Sequence, residues 1–289
     1  MSEQTAYSKQ FTSKVNLLLQ NSGGKLYDCV QHMSCEGESA VQAEQIDEIP
    51  SRESEAPNSA LKIDQVKHER PWLFPKFREC NPALNKQHTL RQAAMFNSSY
   101  QESVRKSLAR HRDQIIIDSF FATVRKGKDA EKAVDFPSGA GYNTAAGGAG
   151  LTPEKVIEAD RKMGDFDNDE GEKYVGITPR QNSEMASANY VNNRDHTDRR
   201  PVMDSGKVIS FFGYMFKETT LFRSLQTGAV ISLPMWTKMG MMFGTWQPAN
   251  VDVAKRIDLT QQPVQFYGTH VIGAARTEEK RVHKIDCAV

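Results

Sequence analysis

No apolar run in these 289 residues is long enough to cross a bilayer: the longest candidate, 208–216, is interrupted by Ser210, Gly213 and Tyr214, whereas a membrane helix takes about 20 predominantly apolar residues. The opening Met-Ser-Glu-Gln-Thr has neither the basic flank nor the apolar stretch of a secretory signal, so a protein made and kept in a cytoplasm is expected. Cysteine is scarce too. Cys29, Cys35, Cys80 and Cys287 stand far apart without a CxxC pair, which argues against a zinc knuckle or a disulfide framework and for reduced thiols. Net charge is nearly missing: 37 basic and 36 acidic side chains leave +1. Non-specific affinity for nucleic acid comes from an excess of Lys and Arg, so any such contact is expected to be local and weak. A mean hydropathy of −0.59 and a hydrophobic fraction of 38% are low, and part of the chain is expected to find its apolar partners in another subunit.

Catalytic signatures are also wanting. There is no GxSxG, no HExxH and no cysteine with an evident base, so no catalytic residue, cofactor or metal is assigned and an enzyme is the weakest reading. The glycine and alanine loop 139–150 runs into Thr152-Pro153-Glu154, a helix start with Thr152 as N-cap and Pro153 in the first helical position. It lacks Gly-Lys-Ser/Thr and GxGxxG, and Glu154 puts a carboxylate where a phosphate would bind. Asp165, Asp167 and Asp169 are spaced like calcium ligands, but Glu170 occupies the glycine position and Gly176 the glutamate position, so a solvated loop is expected. Asp195, His196 and Asp198, within the polar stretch 187–200, are read as a hydrated tip, because ligands this close in sequence need a second element to complete a site. Met235, Met239, Met241 and Met242 are read as core filler.

What is present describes an architecture. Phe11, Val15, Leu18 and Leu19, then Leu26 and Val30, follow helical spacing broken at Gly23-Gly24: a short amphipathic element that needs something to lie against. Residues 36–55 carry seven carboxylates against Arg52 alone and cannot form a core. In 61–96, Trp72, Leu73, Phe74 and Phe77 alternate with Lys67, Arg70, Lys76 and Arg78, while Pro50, Pro57, Pro71, Pro75 and Pro82 deny a long helix, so 36–95 is expected to be an extended loop or two-stranded arm. Its aromatic and basic pattern suits either a base-stacking, phosphate-tracking surface or an arm that packs on a neighbour, and packing is favoured. Ser98 with Gln101 and Ser99 with Glu102 form overlapping capping boxes ahead of Val104, Leu108, His111 and Ile115. They predict a helix of about 25 residues ending at Arg125-Lys126-Gly127-Lys128. Strands are predicted at 175–177, 208–216, 229–236, 239–246, 253–259, 264–274 and 281–287.

This order, with its local text, resembles the HK97-fold major capsid proteins of tailed, podophage-type bacteriophages. Phe11-Thr-Ser-Lys-Val-Asn-Leu-Leu-Leu-Gln resembles the family's start, and Ala109-Arg-His-Arg-Asp-Gln-Ile-Ile-Ile-Asp its spine helix. Gly206-Lys-Val-Ile-Ser-Phe-Phe-Gly-Tyr resembles A-domain text, and Gly273-Ala-Ala-Arg with Val282-His-Lys-Ile-Asp-Cys the last strands. The resemblance implies an α+β, HK97-like capsid fold. Its parts would be an N-arm at 1–35, an extended E-loop at 36–95, a first P-domain part with the long spine helix at 96–138, an A-domain at 139–246 and C-terminal P-domain strands at 247–289. It implies a structural homo-oligomer of pentamers and hexamers that forms an icosahedral head around double-stranded DNA held without sequence specificity. Portal and possible scaffolding or decoration proteins are the implied partners, in a virion capsid assembled in the host cytoplasm without a membrane. Phe11, Val15, Leu18, Trp72, Phe74 and Phe77 are the expected inter-subunit contacts, and a chain lacking 1–35 is expected to keep a folded core. Two alternatives stand beside this: an encapsulin-like nanocompartment shell, and a nucleic-acid-binding module using the basic and aromatic stretch Lys67 to Arg78.

Overall fold

The computed structural model describes residues 23–38, 40–41, 45–46, 49, 51, 66, 68–84, 97–166, 171–188, 203–204 and 207–289. The chain divides into two units, one of 1–24, 76–113 and 247–271 and a larger one of 25–75, 114–246 and 272–289.

The larger unit is built on a seven-stranded mixed sheet in the order Asn143–Thr144, Val282–Ala288, Val230–Thr237, Lys173–Ile177, Tyr214–Glu218, Ser210–Phe211, with Gln226–Thr227 also on Val230–Thr237. The central pairing is antiparallel and runs from Val230 opposite Ala288 to Trp236 opposite Val282. A strand covered on both faces reads as a continuous apolar run rather than an alternating one, and Val230–Thr237 does so. Ile231, Leu233 and Met235 face a cluster with Val156, Ala159, Met163 and Met185, whereas Trp236 faces Ile116, Phe120, Tyr174 and Phe222. Two helices cover the first face. Pro153–Gly164 starts as expected, with Thr152 extended and Pro153 in the first turn. Pro179–Ser187 was not expected, although Thr178-Pro179 repeats the same signal.

Gly176 lies beneath the Phe222 ring, where a Cβ would come within 2.2 Å of ring carbon. Only hydrogen lets the ring lie on this strand.

The smaller unit contains residues 97–113 of the long helix Asn97–Ser119, whose Val104 and Leu108 pack on Leu84 and Phe266. The helix starts before both predicted capping boxes. Gly23, at φ +66, lets the chain pass the helix so closely that a Cβ would stand 2.4 Å from the Arg110 nitrogen.

Several boundaries differ from the sequence reading. The long helix stops at Ser119, not at Lys128, because the backbone beyond it is taken up elsewhere: Arg276 donates to the Phe120 and Ala122 carbonyls, and Val124–Lys126 forms a hairpin with Lys132–Val134. The strands predicted at 239–246 and 253–259 are one, Met241–Lys255. Pro248 lies within it, beyond Thr245 where the pairing with Gln31–Ser34 ends. Met239 is 47% exposed rather than core filler. Leu26, Cys29 and Val30 are buried in the Trp236 cluster, and the Trp236 indole donates to the Cys29 carbonyl at 2.9 Å. Removal of 1–35 therefore takes core residues with it, contrary to the expectation of a spared core.

Gly176→Ala is expected to lower stability by about 2 kcal/mol through overpacking against Phe222. Equilibrium urea unfolding measures it, and an unchanged midpoint would contradict this packing.

Candidate interaction surface

The expected contact residues separate. Phe11, Val15 and Leu18 lie outside the described residues. Trp72 is half-buried, and its indole donates to the Gly127 carbonyl at 2.7 Å within the chain. Phe74 and Phe77 are exposed, at 46% and 58%. Alternation along a strand sends successive side chains to opposite faces, which accounts for Leu73 being fully buried between Trp72 and Phe74.

The arm is two-stranded near its base, as expected: Ala40–Val41 pairs with Trp72–Leu73 and Gln45–Ile46 with His68–Glu69. Its root is fastened to the hairpin 124–134. Gly127 N–H donates to the Arg70 carbonyl at 3.2 Å, Pro71 bridges to Lys126, and the Lys126 ammonium is shared by Glu69 at 2.8 Å and Glu279 at 2.9 Å. Burial disfavours that charge, but hydrogen bonds to the two carboxylates outweigh it and hold the ammonium above its ordinary range. The sequence reading had Lys126 at the negative end of the helix dipole; it serves the arm instead.

Behind Lys126 lies Arg276, with no exposed surface. It donates to Phe120 O at 2.7 Å and Ala122 O at 3.2 Å, lies 5.1 Å over the Phe136 ring and 3.7 Å from Glu279. The cation that completes the helix end thus comes from 157 residues later in the chain than Ser119, beyond the reach of local capping rules.

Other exposed apolar side chains were not singled out in the sequence. Ile46 and Ile49 lie on the arm, at 62% and 63%. Ile209, Phe212 and Met215 surround a turn at the sheet edge, where Phe212 and Gly213 both take positive φ. Gly213 inside the run 208–216 was the signal for that turn. A cleft of about 520 Å³ beside the arm root is lined by Gln45, Ile46, Glu69, Tyr142, Met239 and Glu279, and its polarity is mixed. Among the described residues no group of His, Cys, Asp or Glu has metal-binding geometry. Asp167, Asp169, Asp195, His196 and Asp198 lie outside them. All four cysteines are free thiols, and burial pushes Cys29 up to about 11 and Cys287 up to about 12, which makes both poor nucleophiles.

Two histidines report on acid sensitivity. Burial, then neighbouring cations, holds His270 down to about 4; burial, then Lys162, holds His283 at about 4. Both are neutral in the fold and take protons more readily when unfolded, at the ordinary 6.5. The stability they contribute is present above that value and is lost as pH falls from 6.5 towards 4. Urea midpoints at a series of pH values are expected to drop across this window, less so in His283→Gln; a flat profile would contradict the assignment. Lys126→Met leaves Glu69 and Glu279 facing each other. It is expected to cost about 2 kcal/mol, less than for a fully buried pair because Glu69 is 50% exposed. An unaltered unfolding midpoint would show that the root is not held by this cation.

Comparison with known proteins agrees with this geometry. A family model described as "Phage capsid protein" matches residues 4–289. No curated protein matches. Among solved structures, the chain is similar to the capsid of cyanophage P-SCSP1u at TM-score 0.77 and 15% identity, covering 98% of this chain and 93% of that one. It is similar to the capsid of cyanophage Pam1 at TM-score 0.75 and 12% identity, covering 100% and 98%. The capsid of Ralstonia phage GP4 follows at TM-score 0.71 and 9% identity, covering 98% and 96%. The fold is the HK97-like capsid fold, α+β with few helices and many strands. With the family model spanning nearly the whole chain and the fold shared with phage heads, this chain belongs to the phage capsid protein family and is a structural major capsid protein.

Proposed function

We propose that the chain assembles with copies of itself into pentamers and hexamers of an icosahedral head that encloses double-stranded DNA without reading its sequence. In this reading 1–35 is the N-arm, 36–95 the E-loop, 96–138 the spine-helix part of the P-domain, 139–246 the A-domain and 247–289 the closing P-domain strands. Portal and scaffolding or decoration proteins are the further partners, assembly takes place in the host cytoplasm, and no reaction is assigned.

The observation that carries the proposal is apolar surface left uncovered on the arm and at its foot. Ile46, Ile49, Phe74 and Phe77 are each 46% exposed or more, although Ile46 is already paired with His68 and the strand of Phe77 already belongs to the five-stranded sheet. Uncovered apolar side chains on an extended element mark an interaction surface, and copies of the same chain that close into rings are the partners a shell supplies. Each exposed ring contributes about 2 kcal/mol when covered, so contacts of this kind repeated around a shell add up while each remains weak.

Purified protein run on a sizing column and imaged by negative-stain electron microscopy is expected to give shells or discrete rings. Phe74→Ser with Phe77→Ser is expected to reduce assembly several-fold while moving the melting temperature by no more than about 2 °C, since both rings are exposed in the single chain. A melting temperature that falls steeply with assembly intact would contradict the assignment of these rings to contacts between copies.

A further inference from the structure

In the smaller unit, residues 97–113 of the long helix lie on the strand Val264–Arg276 through a short apolar seam. Val104 and Leu108 pack with Leu84 and Phe266, and Tyr100 stacks on Phe266 at 5.3 Å between centroids. Three residues beyond Leu108 the seam ends in a polar contact: His111 Nδ1 stands 2.7 Å from His270 Nε2 on the strand. His270 is 2% exposed and His111 is half-buried. Two imidazole nitrogens this close hold one proton between them, one ring donating and the other accepting. A second proton would turn two N–H groups on each other with no acceptor between them.

The elements packed around the pair do not favour that charge. Arg112 follows His111 on the helix, and Asp113, fully buried, is turned about 200° around the helix axis from His111. On the strand Lys76–Cys80, Cys80 packs with Val104, Leu108 and Phe266 on the helix side. By alternation Lys76 and Arg78 face that side and Glu79 the other, where the Tyr267 hydroxyl donates to it at 3.4 Å. On the strand Met241–Lys255, Arg256 N–H donates to the Pro263 carbonyl, a register that counts back to Ala249 opposite His270, and no ionisable side chain occurs from Met241 to Val251. Gly23-Gly24, which pass the helix beside Arg110 and Arg112, bring no side chain. Burial, then His111, Arg112 and Arg78, hold His270 down to about 4.

We infer that the His111–His270 pair is an acid-sensitive latch: a second proton on the pair releases helix residues 97–113 from the strand Val264–Arg276 while the sheet of the larger unit stays closed. The latch belongs to the single chain and does not rest on the assembly reading. His283, the other deeply buried histidine, is built differently. Its Nε2 lies 3.0 Å from the Thr144 hydroxyl, which turns to accept from a protonated ring as readily as it donates to a neutral one. An imidazole opposite His270 has no such freedom once both rings carry their protons. The seam beside the latch is short, so opening it exposes few apolar groups, and segments of that kind open before the core does. Once open, His270 takes a proton at the ordinary 6.5, so the closed form is favoured above that value and loses its advantage as pH falls towards 4.

The test is hydrogen–deuterium exchange of the full chain as dissociated subunits at about pH 7.5 and about pH 5, corrected for the chemical exchange rate. Protection of 97–113 is expected to fall about 30-fold between the two, from His270 alone, with Val230–Thr237 and Val282–Ala288 holding theirs. His111→Gln puts an amide opposite His270 that can offer its oxygen to the protonated ring, and is expected to keep the helix within about 3-fold of its neutral-pH protection. His270→Gln removes the buried titrating ring and is expected to do the same, so the pair remains testable if one variant fails to fold at neutral pH. His283→Gln is expected to leave the wild-type response of the helix in place. Unchanged protection of 97–113 in wild type at the lower pH would overturn the latch. An equal loss in the strands of the larger unit would also overturn it, in favour of general acid unfolding, as would a loss in His270→Gln as large as in wild type.

Discussion

A guanidinium with no exposed surface holds the end of the long helix. Taking such a charge out of water costs several kcal/mol unless hydrogen bonds and an opposite charge replace the solvent. Arg276 finds both: the Phe120 and Ala122 carbonyls just past the end of the helix, and Glu279 at 3.7 Å, with the Phe136 face beneath. Glu279 in turn shares Lys126 with Glu69, and Glu69 belongs to the arm. One run of charges therefore links the helix end, the hairpin 124–134, the last turn of the chain and the root of the arm. Each member lies against an opposite charge, although Nε and Nη2 of Arg276 and Oε1 of Glu279 make no hydrogen bond, so loss of Lys126 or Glu279 removes the countercharge from a buried neighbour.

Rigid fastening at the root has a consequence for the rest of the arm. Trp72 and Leu73 are held inside, by a hydrogen bond in one case and by full burial in the other, while Ile46, Ile49, Phe74 and Phe77 remain on the outside. The low hydrophobic fraction of the sequence is thus spent in two places: a sheet buried on both faces, and side chains left exposed on the arm, which the proposed assembly would cover with other copies. Natural sheets protect an open edge with charge, and Lys76, Arg78 and Glu79 on the strand Lys76–Cys80 do this without closing the surface to a partner.

Much of the architecture was legible in the sequence because it is written locally. Thr152-Pro153 marked a helix start, the prolines between 50 and 82 marked an extended arm, and alternating runs marked most strands. Where the sequence reading went astray, a distant residue had intervened. The apolar run from Ile115 to Val124 favours continued helix, but Arg276 and the Lys132–Val134 strand take its backbone groups after Ser119. Gly273-Ala-Ala-Arg entered as family text, and nothing local told that its arginine completes a helix begun at Asn97. Which of the expected contact residues are exposed was not legible. Aromatic content singled out Trp72, Phe74 and Phe77 alike, and only the fold separates the first, turned inward, from the other two.

The central claim is that side chains exposed in the single chain are covered by other copies of it. Hydrogen–deuterium exchange compared between assembled particles and dissociated subunits tests this most directly. The account predicts slower exchange on assembly in Lys76–Cys80 and in the arm strands Gln45–Ile46 and His68–Glu69, with Val230–Thr237 and Val282–Ala288 equally protected in both. Identical exchange of the arm in the two states would contradict it.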